Sequence, residues 1–262
     1  MHAALWVSKT GLSAQDKALT TISNNLANVN TTGFKRDRAV FEDLLYQTKR
    51  QPGGQTSQNT ELPSGLQLGT GVRVVGTQKE FTQGNLQVTE QPLDVAVNGR
   101  GFLKILLPDG TVGYTRDGQL QLNSEGVVVN SSGFPLEPQI QVPDNTTSVT
   151  IAKDGTVTAT VAGDVATQTG LGNITIADFI NPAGLEAVGG NLFKETNASG
   201  APLDGTPGLD GFGALEQGMV EGSNVEVVEE LVNMITTQRA YEMNSKVVST
   251  ADGMLQYISS NL

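Results

Sequence analysis

The feature that most constrains the fold is a pair of apolar stripes, one at each end of the chain. Near the start, leucines recur at steps of seven, and two further apolar residues follow this series at a spacing of three. Near the end, a second series has the same step of seven. Apolar residues at this spacing lie on one side of an α-helix and are typical of coiled-coil packing. The stripes are Leu5, Leu12, Leu19, Ile22, Leu26 and Val29, and Val227, Leu231, Met234, Tyr241, Val248 and Leu255.

The stripes predict two terminal helices. The first runs from about residue 5 to residue 29 and ends at 31–33, where β-branched residues and then a glycine favour a helix terminus. The second begins at Ser223, which together with Glu226 has the spacing of a capping box. It continues to about residue 259. Its first half is apolar on more than one face, so we expect several neighbours rather than one partner helix.

Three asparagines lie beside Leu26: Asn24, Asn25 and Asn28. Amides beside an apolar seam fix the register between helices and lower stability. The alternative is that these side chains face water. The sequence alone leaves both interpretations open.

A polar segment, residues 46–65, separates the first helix from the middle of the chain. It has too few apolar side chains to fold alone, so we expect it to be extended or disordered in isolation. It is either a mobile linker or an arm that neighbouring molecules order. The arm residues that we single out are Tyr46, Gln51, Pro52, Gly53, Gly54, Leu62, Pro63 and Gly65.

The middle of the chain predicts a mostly antiparallel β domain. Short β-rich runs alternate with turn dipeptides such as Asp109-Gly110 and Asp117-Gly118. The strongest hairpin prediction is 148–160, with Asp154-Gly155 at its tip. The other predicted runs are 72–75, 86–89, 93–97, 102–107, 119–122 and 127–129.

The predicted fold class is therefore α+β. Paired N- and C-terminal helices of coiled-coil type flank an extended polar arm and an inserted antiparallel β domain. The predicted parts are 1–33 with 220–262 for the helices, 34–80 with 211–219 for the arm and β connector, and 81–210 for the β domain.

Composition argues against several functions. The chain has no cysteine and its only histidine is His2, which removes most nucleophile–base pairs and transition-metal sites. We therefore expect that the chain is not an enzyme and that it binds neither a cofactor nor a metal ion. A formal net charge of −11 argues against binding to nucleic acid or anionic membranes. No run of apolar residues is long enough to span a membrane. The first residues lack the pattern of a cleavable signal peptide, so export of the chain would need another route.

Specific residues resemble a known family at both ends. The run Ile22-Ser23-Asn24-Asn25-Leu26-Ala27-Asn28, continued through 31–35, is similar to the N-terminal signature of bacterial flagellar rod, hook and hook-associated proteins. The chain is also similar to the C-terminal signature of these proteins. The similar residues are 222–225, Met234-Ile235, Gln238-Arg239, Tyr241, Asn244 and Asp252-Gly253-Met254. Further similar runs lie at 92–94, 99–102 and 114–118, so the resemblance covers nearly the whole chain.

In its length and its polar arm, the chain resembles the distal rod members of this family. That resemblance implies a subunit that polymerises into a straight, rigid, hollow shaft and transmits motor torque to the hook. It implies export without a cleaved signal, through the flagellar type III export apparatus, to a basal body that spans the periplasm. The implied partners are further copies of itself, proximal rod and hook proteins at its ends, and peptidoglycan-ring and outer-membrane-ring proteins around it.

Two alternatives remain open. A hook or proximal-rod subunit is the nearer one, and curved rather than straight polymers would indicate it. The more distant one is a β binding module, with glycans among its candidate ligands, that a coiled coil dimerises. Filaments that form with increasing concentration would argue against the binding module.

Overall fold

The computed structural model describes residues 3–53, 55–57, 60–61, 63–161 and 168–260. Helix α1 spans Ala3–Ala27 and helix α2 spans Val227–Ser260. Many β-strands lie between them, which confirms the α+β class.

The strands lie between the helices in chain order. The first seven are β1 Asp37–Asp43, β2 Gln47–Arg50, β3 Gln55–Ser57, β4 Thr60–Glu61, β5 Leu66–Leu68, β6 Val72–Lys79 and β7 Leu86–Val88. The next seven are β8 Val95–Asn98, β9 Phe102–Leu106, β10 Val112–Thr115, β11 Leu120–Leu122, β12 Val128–Asn130, β13 Thr146–Ile151 and β14 Thr156–Val161. The last seven are β15 Gln168–Asn173, β16 Ile176–Asp178, β17 Glu186–Gly189, β18 Leu192–Lys194, β19 Leu203–Gly205, β20 Ala214–Gln217 and β21 Met219–Glu221.

The chain divides into two compact units. One, the helical unit, comprises Met1–Ala27, Asp37–Gln78 and Glu226–Leu262. The other, the β unit, comprises Asn28–Arg36 and Lys79–Val225. The three-part division predicted from the sequence stays a prediction.

Helix α1 ends earlier than its sequence pattern predicts. The last helical residue is Ala27, and a turn follows in which the N–H of Thr31 donates to the carbonyl of Asn28 at 3.2 Å. Asparagine and β-branched residues after Ala27 disfavour helix. Gly33 has a φ of 67° but lies beyond this turn, in the β unit, so it does not cap the helix.

Helix α2 also begins later than predicted. Its first residue is Val227, and the N–H of Val225 donates to Oγ of Ser223 at 3.2 Å. The predicted capping box is therefore wrong, because Ser223 binds a backbone N–H ahead of the helix instead of capping it. The helix is about 50 Å long at 1.5 Å per residue.

The two helices pack on each other through small and polar residues. The buried residues of α1 are Ser8, Ala14, Ala18 and Asn25. At Gly11 the helices approach so closely that an added Cβ would lie 3.1 Å from Nδ2 of Asn244. The lack of a side chain at Gly11 thus permits this close approach, and the leucines of α1 at the seven-residue step are half-buried.

The β unit is built around a six-stranded sheet with the order β17-β18-β10-β9-β16-β19, and all of these pairings are antiparallel. Strand β9 shows why both faces of this sheet are buried. Leu103 and Ile105 point into an aliphatic core, whereas Phe102 points into a second, aromatic cluster. In that cluster the rings of Tyr114 and Phe179 meet edge to face, with centroids 4.8 Å apart. Burial raises the pKa of Tyr114 to about 12.

The hairpin predicted at 148–160 is confirmed. Strands β13 and β14 pair antiparallel with Ile151 opposite Val157, and Gly155 at the tip has a φ of 86°. The other six predicted β-rich runs each overlap a strand. Strand β10 was not predicted, because Gly113 interrupts its short run of β-forming residues.

The polar segment forms a hairpin in the helical unit. Strands β2 and β5 pair antiparallel, with Gln47 opposite Leu68 and Arg50 opposite Leu66. Farther out, β3 and β4 pair in the same way. The described residues of the segment are therefore extended in this chain, and its ordering by neighbouring molecules stays a prediction.

The β unit should depend on its aliphatic core. Replacing the fully buried Ile105 by alanine (Ile105→Ala) leaves a cavity and should lower the free energy of unfolding by about 2–5 kcal/mol. Ile180 is 80% exposed, so Ile180→Ala should change it by about 0.5 kcal/mol or less. Urea unfolding followed by circular dichroism measures both, and equal effects would contradict this description of the core.

Candidate self-association surface

The helical unit has almost no apolar core of its own. Among the described residues, the buried apolar side chains of this unit are Ala14 and Ala18, and all the others belong to the β unit. The unit also buries polar groups, namely Ser8, Asn25 and Glu230. Apolar burial is the main stabilising contribution in folded proteins, so this unit is poorly stabilised as a single chain.

Many large apolar side chains of the helical unit are instead exposed. Trp6 of α1 is 50% exposed, and the base of the hairpin exposes Leu45, Tyr46, Leu66 and Leu68. Helix α2 contributes the longest exposed series, Val227, Val228, Leu231, Val232, Ile235, Tyr241, Met243, Val247, Met254 and Tyr257. Exposed apolar side chains in such number are typical of an interaction site.

The residues of the two predicted stripes, which together form the predicted seam, differ in how far the single chain buries them. Those that are half-buried within the single chain are Leu5, Leu12, Leu19, Ile22 and Leu26 of α1 and Met234, Val248 and Leu255 of α2. Val227, Leu231 and Tyr241 are 39%, 42% and 41% exposed. Val29 lies outside the helical unit, half-buried in the turn after α1.

Asn25 has a contact that the sequence analysis missed. Its Nδ2 donates to the carbonyl of Asp37 at 2.8 Å, and its Oδ1 accepts the N–H of Asp37 at 2.9 Å. The buried amide therefore holds the start of β1 against α1. Asn24 is exposed, and Oδ1 of Asn28 accepts the hydroxyl of Thr31 at 3.1 Å.

The arm residues lie along the hairpin of β2 to β5. Tyr46, at its base, is 55% exposed, and Gln51, Pro52, Gly53 and Pro63 are exposed farther along. Gly65 lies against the backbone of Arg50 and the ring of Pro52, where a Cβ would overlap them. Gly54 and Leu62 lie outside the described residues.

A buried ionic cluster, which we call the clasp, joins distant parts of the β unit. Nζ of Lys35 contacts Oε1 of Glu221 at 2.6 Å, and Nη1 of Arg116 contacts Oε2 at 3.2 Å. The side chains of Lys35 and Glu221 are fully buried. Lys35 follows α1 in the chain and Glu221 precedes α2, so the clasp joins the two segments that lead to the helices.

Each charge of the clasp also has backbone partners. Nζ of Lys35 donates to the carbonyl of Thr82 at 2.8 Å, and Oε1 of Glu221 accepts the N–H of Gly84 at 2.8 Å. Nη2 of Arg116 donates to the carbonyl of Gly99 at 2.7 Å. Burial lowers the pKa of Lys35 and of Arg116, and the Glu221 carboxylate opposes both shifts.

Asn224 strengthens the same junction. Its Oδ1 accepts the N–H of Arg36 at 2.8 Å, while its Nδ2 donates to the carbonyl of Glu80 at 2.8 Å. Lys35, Arg116 and Asn224 lie in runs that resemble the flagellar family, but the sequence alone assigned them no role. The available signal was a charged residue, such as Glu221, within a short apolar strand.

The described residues show no sign of a metal centre or a membrane helix. They contain no group of three or more side chains of the types that hold a metal ion. Neither α1 nor α2, over its described residues, is both long and apolar enough to cross a membrane.

Sequence models of three flagellar families match this chain. The flagella basal body rod protein family matches residues 5–35, the flagellar hook protein FlgE/F/G D1 domain matches 96–159, and the flagellar basal body rod FlgEFG protein C-terminal family matches 216–261. The matches thus include both helices and the centre of the β unit.

Curated proteins are similar over the full length. The flagellar basal-body rod protein FlgG of Buchnera aphidicola subsp. Acyrthosiphon pisum is 56% identical over 259 residues, with 99% of each chain covered. Its counterpart in Borreliella burgdorferi is 49% identical, covering 100% of this chain and 99% of the relative. That of Caulobacter vibrioides is 48% identical, with 98% of each covered.

The clasp should be essential for the stability of the β unit. Replacing Glu221 by glutamine (Glu221→Gln) leaves two buried cations without their anion and should lower the free energy of unfolding by about 3–5 kcal/mol. Glu216 pairs at 3.2 Å with Lys153, whose side chain is 76% exposed, so Glu216→Gln should cost less than about 1 kcal/mol. Denaturant midpoints compare the two variants; a Glu221→Gln chain as stable as the Glu216→Gln chain would rule out this role.

Proposed function

Because the chain belongs to the FlgG family of flagellar basal-body rod proteins, we propose that it is a structural subunit of the distal rod. Copies polymerise into a straight, rigid, hollow shaft that transmits motor torque to the hook. The observation that carries this proposal is the exposed apolar surface of the helical unit, which one chain leaves uncovered.

The helices supply the contacts between subunits. The seam residues of α1 pack on those of α2 in the same chain and in neighbouring chains, in a coiled-coil arrangement. Val227, Leu231 and Tyr241, which are exposed in the single chain, become covered. Each large apolar side chain that is fully covered contributes about 1.5–3 kcal/mol, before the entropy lost on association. Asn24 and Asn28 set the register beside this seam, whereas Asn25 holds the start of β1 against α1.

The same surface suits the chain for export. A helical unit whose buried apolar side chains, over its described residues, are two alanines unfolds at little cost in the free monomer. The chain then passes uncleaved through the flagellar type III export apparatus and becomes ordered on the growing shaft.

The polar arm stiffens the shaft. Its antiparallel ladders β2–β5 and β3–β4 hold it as an extended hairpin. We infer that it lies between neighbouring subunits and prevents them from sliding. The described arm residues form this contact.

The β unit faces outward, toward the rings that surround the shaft. The net charge of −11 gives the chain a polar, acidic exterior that disfavours sticking during rotation. The partners are the peptidoglycan-ring and outer-membrane-ring proteins around the shaft, and proximal rod and hook proteins at its ends. The assembled shaft spans the periplasm.

Leu231 offers a direct test of polymerisation. A charge at this position (Leu231→Asp) would be buried between subunits, so polymer should be lost while the β unit keeps its denaturant midpoint. The matched control is Val88→Asp, which alters a residue of the β unit that is 66% exposed. Sedimentation and electron microscopy measure the polymer. Normal polymer from Leu231→Asp would refute the proposed surface.

The arm is tested by deletion. Removing residues 46–65 should give polymers that bend, because neighbouring subunits regain freedom to slide. Electron micrographs of polymer grown from purified protein measure their curvature. As a control, exchanging the cross-strand partners Thr48 and Gln67 keeps the ladder and should leave the polymer straight. Straight polymer from the deleted chain would show that the arm does not stiffen it.

A further inference from the structure

A close contact connects helix α1 with the root of the arm. The hydroxyl of Thr10 donates to the carbonyl of Val7 at 2.8 Å and accepts the N–H of Val72 at 3.3 Å. Val72 is the first residue of β6, the strand that follows the arm. Thr10 therefore satisfies both a helix carbonyl and the first N–H of that strand. We call Thr10 and Gly71 the latch.

Gly71 makes this approach possible. Its φ of 119° lies in a region that residues with a side chain rarely adopt, and a Cβ at this position would overlap the hydroxyl of Thr10. Any side chain at position 71 would therefore push the arm root away from α1.

The root of the arm is tied together as one piece. The N–H of Leu44 donates to the carbonyl of Gly71 at 2.9 Å, and the hydroxyl of Thr70 donates to the carbonyl of Leu45 at 2.7 Å. The segments that enter and leave the arm are thus joined beside the latch. Fixing Gly71 on the helix fixes both of them.

Beside the latch, helix and arm are not closely packed. A cavity of about 280 Å³ separates Ala3, Trp6 and Val7 of α1 from the arm root, whose lining residues are Gln47, Leu68, Gly69 and Thr70. Atoms across such a gap contribute little attraction. The latch therefore supplies a close contact between α1 and the arm root that the cavity beside it does not.

We propose that Thr10 is a positioning residue for the arm, and that the arm takes a fixed direction only after α1 has become ordered. This inference rests on the proposed function, in which neighbouring subunits order the helices. The helix is placed first, and the latch then directs the hairpin to its position between subunits. A hairpin that is not yet directed leaves the incoming subunit free to adjust.

The experiment uses the absence of cysteine from the chain. The substitution Thr48→Cys, at an exposed position of β2, introduces a single thiol for a nitroxide label. The mobility of this label reports whether the arm is ordered. Spectra are compared for the soluble chain and for sedimented polymer. The test variants are Thr10→Val, which removes the hydroxyl at nearly constant shape, and Gly71→Ala. Thr10→Ser keeps the hydroxyl and should rescue the arm.

Two matched controls separate the latch from general damage. Thr20→Val makes the same change elsewhere on α1, where the hydroxyl donates to the carbonyl of Asp16. Gly76→Ala makes the same change within β6, where a Cβ would meet no atom within 4 Å.

We expect a label that is mobile in every soluble chain. In polymer it should be immobile in the wild type, in Thr10→Ser and in both controls, and mobile in Thr10→Val and Gly71→Ala. Trypsin cleavage after Lys49 and Arg50 should be on the order of fivefold faster in polymer of the two latch variants, as expected for loss of one hydrogen bond. Equal label mobility and equal cleavage in wild-type and Thr10→Val polymer would overturn the latch.

Loss of polymer has a separate meaning. If the wild-type chain forms no polymer, the proposed function is contradicted, and the latch is judged by hydrogen exchange at the N–H of Val72 in soluble chain whose helices have been ordered with trimethylamine N-oxide, an osmolyte that favours burial. Protection that Thr10→Val removes would support the latch, and equal exchange in the two chains would overturn it. If only the latch variants fail to polymerise, the same exchange measurement decides.

Discussion

The shortage of apolar burial in the helical unit is the constraint on which the rest of the structure depends. Its two helices approach closely at Gly11, and the buried side chains of α1 are small or polar, so they remove little apolar surface from water. Most of the large apolar side chains of α2 are exposed, on several faces. One chain cannot cover those faces, because α1 occupies only one of them. Repeated copies around a common axis supply the neighbours that each α2 lacks.

The β unit has the opposite property, and this difference gives the two units separate tasks. It buries an aliphatic core and an aromatic cluster, and the clasp of Lys35, Arg116 and Glu221 closes it. The clasp joins the segment after α1 to the segment before α2. A self-sufficient β unit therefore holds the two chain segments that lead to the helices at one place, whatever the state of the helices. Such an arrangement allows the helices to become ordered late, during assembly, without loss of the folded β unit.

The sequence predicted the elements better than their ends and contacts. Steps of seven indicated both helices, and the Asp154-Gly155 hairpin followed from local turn chemistry. The start of α2 was displaced because Ser223 accepts a nearer backbone N–H than the one a capping box requires. The clasp joins Lys35 and Glu221, which are 186 positions apart, and no local pattern encodes such a pairing. Asn25 suggested a contact between helices, yet in this chain it binds the backbone of Asp37, a partner that only the tertiary fold brings near.

Hydrogen exchange of the backbone amides, measured on the dilute soluble chain and on sedimented polymer, tests the central claim most directly. If the helical unit lacks a core of its own, amides of α1 and α2 should exchange rapidly in the soluble chain while those of the six-stranded sheet are protected. In polymer the helix amides should become protected as well. Helices that are as protected as the sheet in the dilute chain would contradict the account, since the helical unit would then be stable without neighbours.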